Sequence, residues 1–563
     1  MNVVSDTEAD FNPLRLHYFL LLVAVVVLVY AAGNSNPFHY DDLHSIRDNP
    51  HIRSLENIPA FFTRPDYFTV DPRSAMYRPL VLVSYALNYA LDTSEVHSYH
   101  WVNIAIHVIN SGLVLLLAQI LLRRGAVALL AACIFALHPV NSEVVNYISS
   151  RSESLCALFF LVSLIAYIKA RTAAKFRLII YGISLAAFSG ALLCKSIAVT
   201  LLPLLLAFEI CFPFHLPSVR SVLHRIGPFF APFLLYGVAI QHTLKTALID
   251  APVRPMWVQL ATQLKALIYY VKLLCFPWAL NIEHQFALGG NEPAVWLSAG
   301  CVLSLFVWAW LSRATARFLS VWSLVVLAPT LVVPLNILVN EHRLYLVSVA
   351  FSIGLACAFE NIVRQAMASK MVSMCCISLL VIFASLGVQR TLTWSSSEGV
   401  WAAALERSPY MPRPHLYMGN VHRQAGQNQR ALYSYAKALT VHPEVLSGGD
   451  LVSIYNNMGA TYLAMGRFDE AVAAYEKTLA IDPEYEEARA ALEGVRALTE
   501  QAGQGEAEDL QRRGLIALVR GDLPQAVVLL NESLTKGSMP RTYIALAQVY
   551  EQMQNTEEAR AVY

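Results

Sequence analysis

Long apolar runs broken by short polar bursts fill the chain as far as Gln389, and beyond it charged and apolar positions alternate at helical spacing. The first run, Leu14 to Gly33, matches the roughly 20 residues that a helix needs to cross a bilayer. Comparable runs cover 99–122, 126–140, 154–170, 178–194, 196–213, 228–246, 294–311, 318–338, 344–361 and 371–388, which with the first predict about 11 spans. The first run is long and has no A-x-A-like site before the polar stretch, so it reads as a retained helix rather than a cleaved signal.

Two segments are ambiguous: RPLVLVSYALNYAL (78–91) is short, and so is the run ending LLCFPWAL (273–280). Both read as interfacial, because counting either as a span would invert part of the charge pattern. With the N-terminus inside, Arg123, Arg124, Lys169, Arg171, Lys175, Arg177, Arg220, Arg225, Arg313, Arg317, Arg364 and Lys370 all face the cytoplasm, as the positive-inside rule requires. The odd count then puts the C-terminal region on the opposite side. The expected division is a polytopic membrane domain, 1–390, followed by a soluble region, 391–563.

That soluble region repeats. Gly419, Ala431, Tyr435, Ala438 and Pro443 sit at the spacing of a tetratricopeptide unit, and so do Gly459, Tyr462, Ala471, Tyr475 and Pro483. Weaker copies come around Gly514 and Ala526, and around Ala547, Tyr550, Ala559 and Tyr563. Units are expected near 410–443, 453–483, 510–540 and 542–563, with a lone helix at 483–498 and a linker at 501–509. The sequence stops mid-repeat, which predicts either truncation or association at that end. The fold class is therefore all-α: a helical membrane domain followed by a tetratricopeptide α-solenoid.

Composition narrows the function. Only 14% of the 563 residues are charged and 56% are hydrophobic, against roughly 25% charged in soluble domains. A cytosolic enzyme, a disordered chain and a collagen-like chain are excluded, and a net charge of +1 supplies no field for nucleic acid. The nine cysteines lie in or beside apolar runs, with neither a disulfide framework nor a CxxC metal pair. HExxH, Walker, GxGxxG and GxSxG motifs are missing from the sequence.

The acids gather opposite the cations, in the outer loops: Asp41, Asp42, Asp48, Asp66, Asp71, Glu143, Glu153, Glu283 and Glu341. Charge at a membrane face is costly unless paired or functional. FHYDDLHSIRDNP (38–50) offers two adjacent carboxylates suited to a general base with a partner; a Ca²⁺-type or capping pair is the plainer reading. In LHPVNSEVVNYISSRSESL (137–155), Pro139 breaks a helix, Glu143, Arg151 and Glu153 return toward the bilayer, and Arg151 could clamp a lipid phosphate. His138 there either serves the site or caps the helix. In VNEHRLYLVS (339–348), Glu341, His342 and Arg343 open a span, with a structural ion pair as the alternative. His100, Asn103 and His107 share one helix face, where interhelical hydrogen bonding is the favoured role.

Taken in order, FHYDD, RPL with LNYAL, YHWVNIAIH, HPVNSEVVNYISSRSESL, NEHRLYLVS and then the repeats resemble the transmembrane and tetratricopeptide repeat-containing O-mannosyltransferases and their bacterial relatives, which have the C-type glycosyltransferase fold. The resemblance implies an inverting glycosyltransferase that takes a mannose-like sugar from a polyprenyl-phosphate donor on the non-cytoplasmic face and passes it to a hydroxyl of a protein acceptor. Asp41 would be the catalytic base with Asp42 beside it. Arg151, His342 and Arg343 would face the donor phosphate, with Arg78 the remaining candidate and His138, Glu143 and Glu341 in support. No cofactor is assigned, and a divalent cation stays open. The membrane would be a bacterial inner membrane with periplasmic repeats, or the endoplasmic reticulum with lumenal ones. A tetratricopeptide scaffold for envelope assembly and a transporter are the rival readings; the first does not need the acids, and the second would place its charges at mid-bilayer.

Overall fold

The computed structural model describes residues 14–562 apart from 71–74, 93–94, 174, 214–217, 246–252, 367–368, 501–504, 520 and 538–539. Asp71, Tyr563, the end of the run at 228–246 and part of the 501–509 linker lie outside the described residues. The protein is all-helical, with no strand among the described residues. Two compact units divide at Arg407 and Ser408.

The membrane unit begins with α1 (Leu14–Tyr30), and the long loop that follows it carries the short α2 (Ile58–Phe61). Then come α3 (Pro79–Leu91), α4 (Val96–Leu122), α5 (Gly125–Leu137), α6 (Ser142–Asn146) and α7 (Arg151–Thr172). Next in the chain are α8 (Arg177–Leu192), α9 (Leu201–Cys211), α10 (Val219–Ile226), α11 (Phe230–Lys245) and α12 (Met256–Cys275). α13 (Pro293–Leu311), α14 (Ala314–Val332), α15 (Tyr345–Ala366), α16 (Ser369–Thr393) and α17 (Ser397–Arg407) complete it. α17 packs back onto this unit, burying Trp401 and donating from Arg407 to the Leu280 carbonyl, so the unit ends later than the expected boundary near 390.

Among the described residues, eight helical stretches are long and apolar enough to cross a bilayer. A ninth is the bent pair of Gly125–Leu137 and Pro139–Asn146. The two other expected spans form the shorter apolar helices Arg177–Leu192 and Ser196–Cys211, and Pro79–Leu91 is of the same kind. The protein is an integral membrane protein. α12 is longer than the pattern predicted: its 20 residues include Gln259, Thr262, Gln263, Lys265 and Lys272, which break up the apolar signal.

Proline chemistry makes the bend. The residue before a proline is pushed to extended backbone, so α5 ends at Leu137, His138 adopts φ −60° and ψ 121°, and the chain turns by 49°. The core lies among α4, α5, α7 and α15, with α1 against α4, α5 and α16. Gly33 marks a close approach: a Cβ there would stand 2.7 Å from both Asn146 Oδ1 and Thr391 Cγ2.

The repeat unit is four helix pairs with one helix between the second and third. α18 (Pro412–Gln424) pairs with α19 (Asn428–Thr440), and α20 (Gly448–Ala464) with α21 (Phe468–Ile481). α22 (Glu486–Glu500) is the inserted helix. α23 (Glu506–Val519) pairs with α24 (Leu523–Lys536), and α25 (Pro540–Gln552) with α26 (Thr556–Val562). In three pairs a glycine admits the large side chain of its partner helix: a Cβ on Gly419, Gly459 or Gly514 would meet Tyr435, Tyr475 or Leu530 at 2.5–2.7 Å. Ser447 and Asp450 close a capping box on α20, and Arg413 reaches across to Asp450 with two hydrogen bonds of 2.8 and 3.0 Å.

Candidate functional site

The long loop after α1 turns at Tyr40, which has φ +48°. That conformation costs a non-glycine residue about 1–2 kcal/mol. It is held by the Tyr40 ring, which lies beside Tyr147 (6.4 Å between centroids) and edge-on to Trp401 (6.2 Å). The two carboxylates that come next have opposite fates.

Asp42 is buried. Its Oδ1 accepts from the Ser149 amide (2.7 Å) and hydroxyl (2.5 Å), and its Oδ2 from the His39 amide (3.1 Å). Burial pushes its pKa up to about 7, with a smaller push from Asp41, against the pull of those hydrogen bonds. At Asp42 desolvation thus outweighs the like-charge effect of its neighbour. Asp41 keeps 41% of its side chain exposed. Its amide donates to the Tyr147 hydroxyl (3.0 Å), its carbonyl accepts from Ser45, and its Oδ1 stands 3.4 Å from His44 Nε2. His44 Nδ1 in turn meets the Thr69 hydroxyl at 2.7 Å. Among the described residues no group of three or more His, Cys, Asp or Glu could hold a metal ion.

Residues 147–154 form the hub. Ser149 binds Asp42, and Ser152 accepts from Arg78 (3.2 Å). Glu153 pairs with Lys195 and lies 3.5 Å from His342 Nε2. His342 Nδ1 is 2.8 Å from Glu143 Oε1. Arg78 also lies over the Phe68 ring. The hub therefore brings Asp41, Asp42, Arg78, Glu143 and His342 of the expected residues into one network, together with Lys195 and Glu153.

The others turn into the scaffold. Arg151 is fully buried, and each of its nitrogens is engaged: Nε by Asn103 (2.7 Å), Nη1 by Asn88 (2.7 Å) and Ser84, Nη2 by the Tyr99 carbonyl (2.9 Å). Its guanidinium also lies over the rings of Tyr85 and Tyr99. The phosphate clamp expected of it would have to share nitrogens that these groups already hold. Arg343 likewise donates to the Ile337 and Leu338 carbonyls and to the Tyr270 hydroxyl, fixing the loop before α15. Glu341 is buried and accepts from the Asn281 amide and Arg390, with His284 3.2 Å away. His138 is a cap: Nδ1 accepts from the Val140 amide (3.2 Å), which leaves Nε2 to donate to the Leu274 carbonyl (2.9 Å). His100, Asn103 and His107 tie α4 to Asn36, Val145 and Ala136, as their shared face predicts.

Lys195 is a member of the network that its sequence context does not single out. The one signal is a lone cation between two apolar runs, 178–194 and 196–213, on the face that the charge pattern assigns to the acids. His44 and Thr69 give none, because their contact with Asp41 depends on how the loop closes.

Known proteins share both halves of this architecture. The tetratricopeptide repeat family matches residues 410–484 and again 540–563. Human "Protein O-mannosyl-transferase TMTC3" is 23% identical over 520 residues, covering 84% of this chain and 56% of that protein. Mouse "Protein O-mannosyl-transferase TMTC4" is 26% identical, with 74% and 65% covered, and human TMTC2 is 30% identical over 217 residues, with 37% and 25% covered. The chain thus spans little more than half the length of the human TMTC3 protein. Among solved structures, ArnT from Cupriavidus metallidurans bound to undecaprenyl phosphate overlaps 80% of each chain at 13% identity and a TM-score of 0.38. The apo oligosaccharyltransferase of Archaeoglobus fulgidus overlaps 71% of this chain and 58% of its own, at 13% identity and a TM-score of 0.39. Scores of that size give no basis for matching individual residues. Over more than four fifths of its length, this chain is similar to the transmembrane and tetratricopeptide repeat O-mannosyltransferases that its motifs resemble.

Proposed function

We propose that this protein is an inverting membrane glycosyltransferase that moves a mannose-like sugar from a polyprenyl-phosphate donor to a serine or threonine hydroxyl of a protein acceptor, on the non-cytoplasmic face. The observation that carries the reading is the hub. One exposed carboxylate, Asp41, and two cations, Arg78 and Lys195, are fastened to the same turn, residues 147–153. In that reading Asp41 accepts the proton of the acceptor hydroxyl. The freed oxygen forms a bond to the anomeric carbon as the carbon–oxygen bond to the lipid phosphate breaks, and the electron pair leaves with the phosphate. Arg78 and Lys195, with Glu153 offsetting one of their charges, would stabilise the negative charge growing there. His342, held by Glu143, completes that side of the site. The repeats would present the acceptor.

Purified full-length protein, supplied with polyprenyl-phosphate mannose and a Ser/Thr-containing peptide, tests this directly. Asp41→Asn should slow transfer by about 10²–10⁴-fold while donor binding persists, since a positioned general base contributes about that much. Arg78→Ala and Lys195→Ala should instead weaken donor binding. Transfer at the wild-type rate by Asp41→Asn would remove the base from this loop.

A further inference from the structure

The loop that carries Asp41 is fastened along one side by residues for which the transfer reaction has no use. They lie where α16 ends and α17 begins. Asn36 Nδ2 donates to the Thr391 carbonyl (3.1 Å). His39 is buried, with Nε2 2.7 Å from the Trp394 carbonyl and Nδ1 3.1 Å from the Ser397 hydroxyl. A carbonyl can only accept, so Nε2 carries the proton and Nδ1 accepts from Ser397. The His39 amide meanwhile holds Asp42. Tyr40 lies edge-on to Trp401, and Tyr147, whose hydroxyl takes the Asp41 amide, is stacked on Trp394 at 5.5 Å.

At its other end α17 fastens a second loop. Arg407 donates to the Leu280 carbonyl, and Asn281 Nδ2 reaches the Ala404 carbonyl (3.4 Å). The Asn281 amide donates to Glu341, the neighbour of His342 in the chain. α17 therefore runs from the loop of the carboxylate to the loop behind His342. The next residue, Ser408, begins the repeat unit.

We propose that residues 391–401 are a built-in support for Asp41, with His39 the positioning residue through which they act, so that the segment leading to the repeats also sets the reach of the base. The enzymatic half of this rests on Asp41 being the base of the proposed transfer. The physical ground is the steep dependence of transfer on placement: an error of about 1 Å can cost on the order of 10²-fold in rate. Tyr40, in its left-handed conformation, gives the loop a geometry that it would leave if the contacts to Trp394, Ser397 and Trp401 were removed.

The test uses full-length protein and two readouts. His39→Ala should lower kcat by about 10- to 100-fold with the KM for polyprenyl-phosphate mannose unchanged, and His39→Gln, which keeps a donor for the Trp394 carbonyl, should recover much of it. Hydrogen exchange of the amides of residues 40–46 should quicken in His39→Ala and in the milder Ser397→Ala, with the rest of the membrane unit unaltered. Unaltered exchange at 40–46 in both variants overturns the support, and so does a wild-type kcat in His39→Ala. Should the wild-type chain transfer no sugar, the enzymatic reading fails, and the exchange measurement alone decides whether this segment holds the loop.

Discussion

Arg151 is wholly enclosed by protein: Asn103, Asn88, Ser84 and the Tyr99 carbonyl take its nitrogens, and two tyrosine rings cover its faces. Removing it strands several buried acceptors, each costing about 1–3 kcal/mol. Arg151→Ala should therefore lower the thermal stability of the purified protein by about 3 kcal/mol or more, while any folded fraction binds donor normally. A stable variant with weakened donor binding would return the arginine to the phosphate. Asp42 makes the second prediction at this scale. Its folded pKa of about 7 lies above the ordinary 3.8, so ionisation opposes the fold. That cost is absent below about pH 4 and complete above about pH 7, so it grows as pH rises through this window. Against Asp42→Asn, whose amide does not titrate, the wild type should lose relative stability between pH 4 and 7, by up to about 4 kcal/mol at 1.36 kcal/mol per unit of pKa. Thermal melts of both proteins across that range check it, and a constant gap would mean that Asp42 is solvated. The acidic pair and the histidine at a proline-broken helix end are visible in the chain itself. Which aspartate is buried, and that Arg151 points inward, depends on residues about 50–110 positions away.

Among elements, the turns between paired helices of the repeats show what a single position contributes. Gly426, Gly466 and Gly521 all sit two residues before the second helix of their pair, with φ +67° to +76°. In the fourth pair Gln554 takes that place at φ +60°. A side chain there costs about 1–2 kcal/mol, partly offset by the greater entropy that glycine loses. Gln554→Gly should stabilise the α25–α26 pair by about 0.5–1 kcal/mol, seen as slower hydrogen exchange in 540–562. Faster exchange would show that the glutamine side chain contributes more than the backbone strain takes away. The membrane elements were legible where one apolar run equals one helix, and the Pro139 bend was legible from proline alone. α12 was not, because it serves as a bed: Gln259 and Gln263 use one face of it to hold the carbonyls of Thr330, Val333 and Leu338. A helix of that kind carries too much polarity for a span pattern.

At the scale of the whole molecule, topology decides whether the reading of the site stands. The basic and acidic loops alternate along the sequence, and on the positive-inside rule we expect each set to face its own side of a bilayer. We expect a periplasmic or lumenal reporter fused after Arg407 to be active and a cytoplasmic one to be silent. The reverse would put the repeats opposite Asp41 and would sink the acceptor-presentation reading. The charge separation also weighs against a transporter, whose charges would line a path at mid-depth. One buried cluster does sit away from the candidate site: Glu209 with Tyr167, Arg171 and Arg225. It stitches α7, α9 and α10 together, with one acid offsetting two arginines.

The sequence by itself determined the features that arise from periodicity and from single-residue chemistry: the apolar helices, the repeats with their glycines and the proline bend. It did so because these properties belong to a residue and its near neighbours. Only the tertiary structure decided which charges work together. Asp41 and Lys195 are joined through residues 147–153, Glu143 meets His342 across 199 positions, and His39 meets Trp394 across 355. The energy of a buried charge depends on what surrounds it, and those surroundings come from chain segments brought together by packing of apolar helices, a process in which the polar residues of the site take little part.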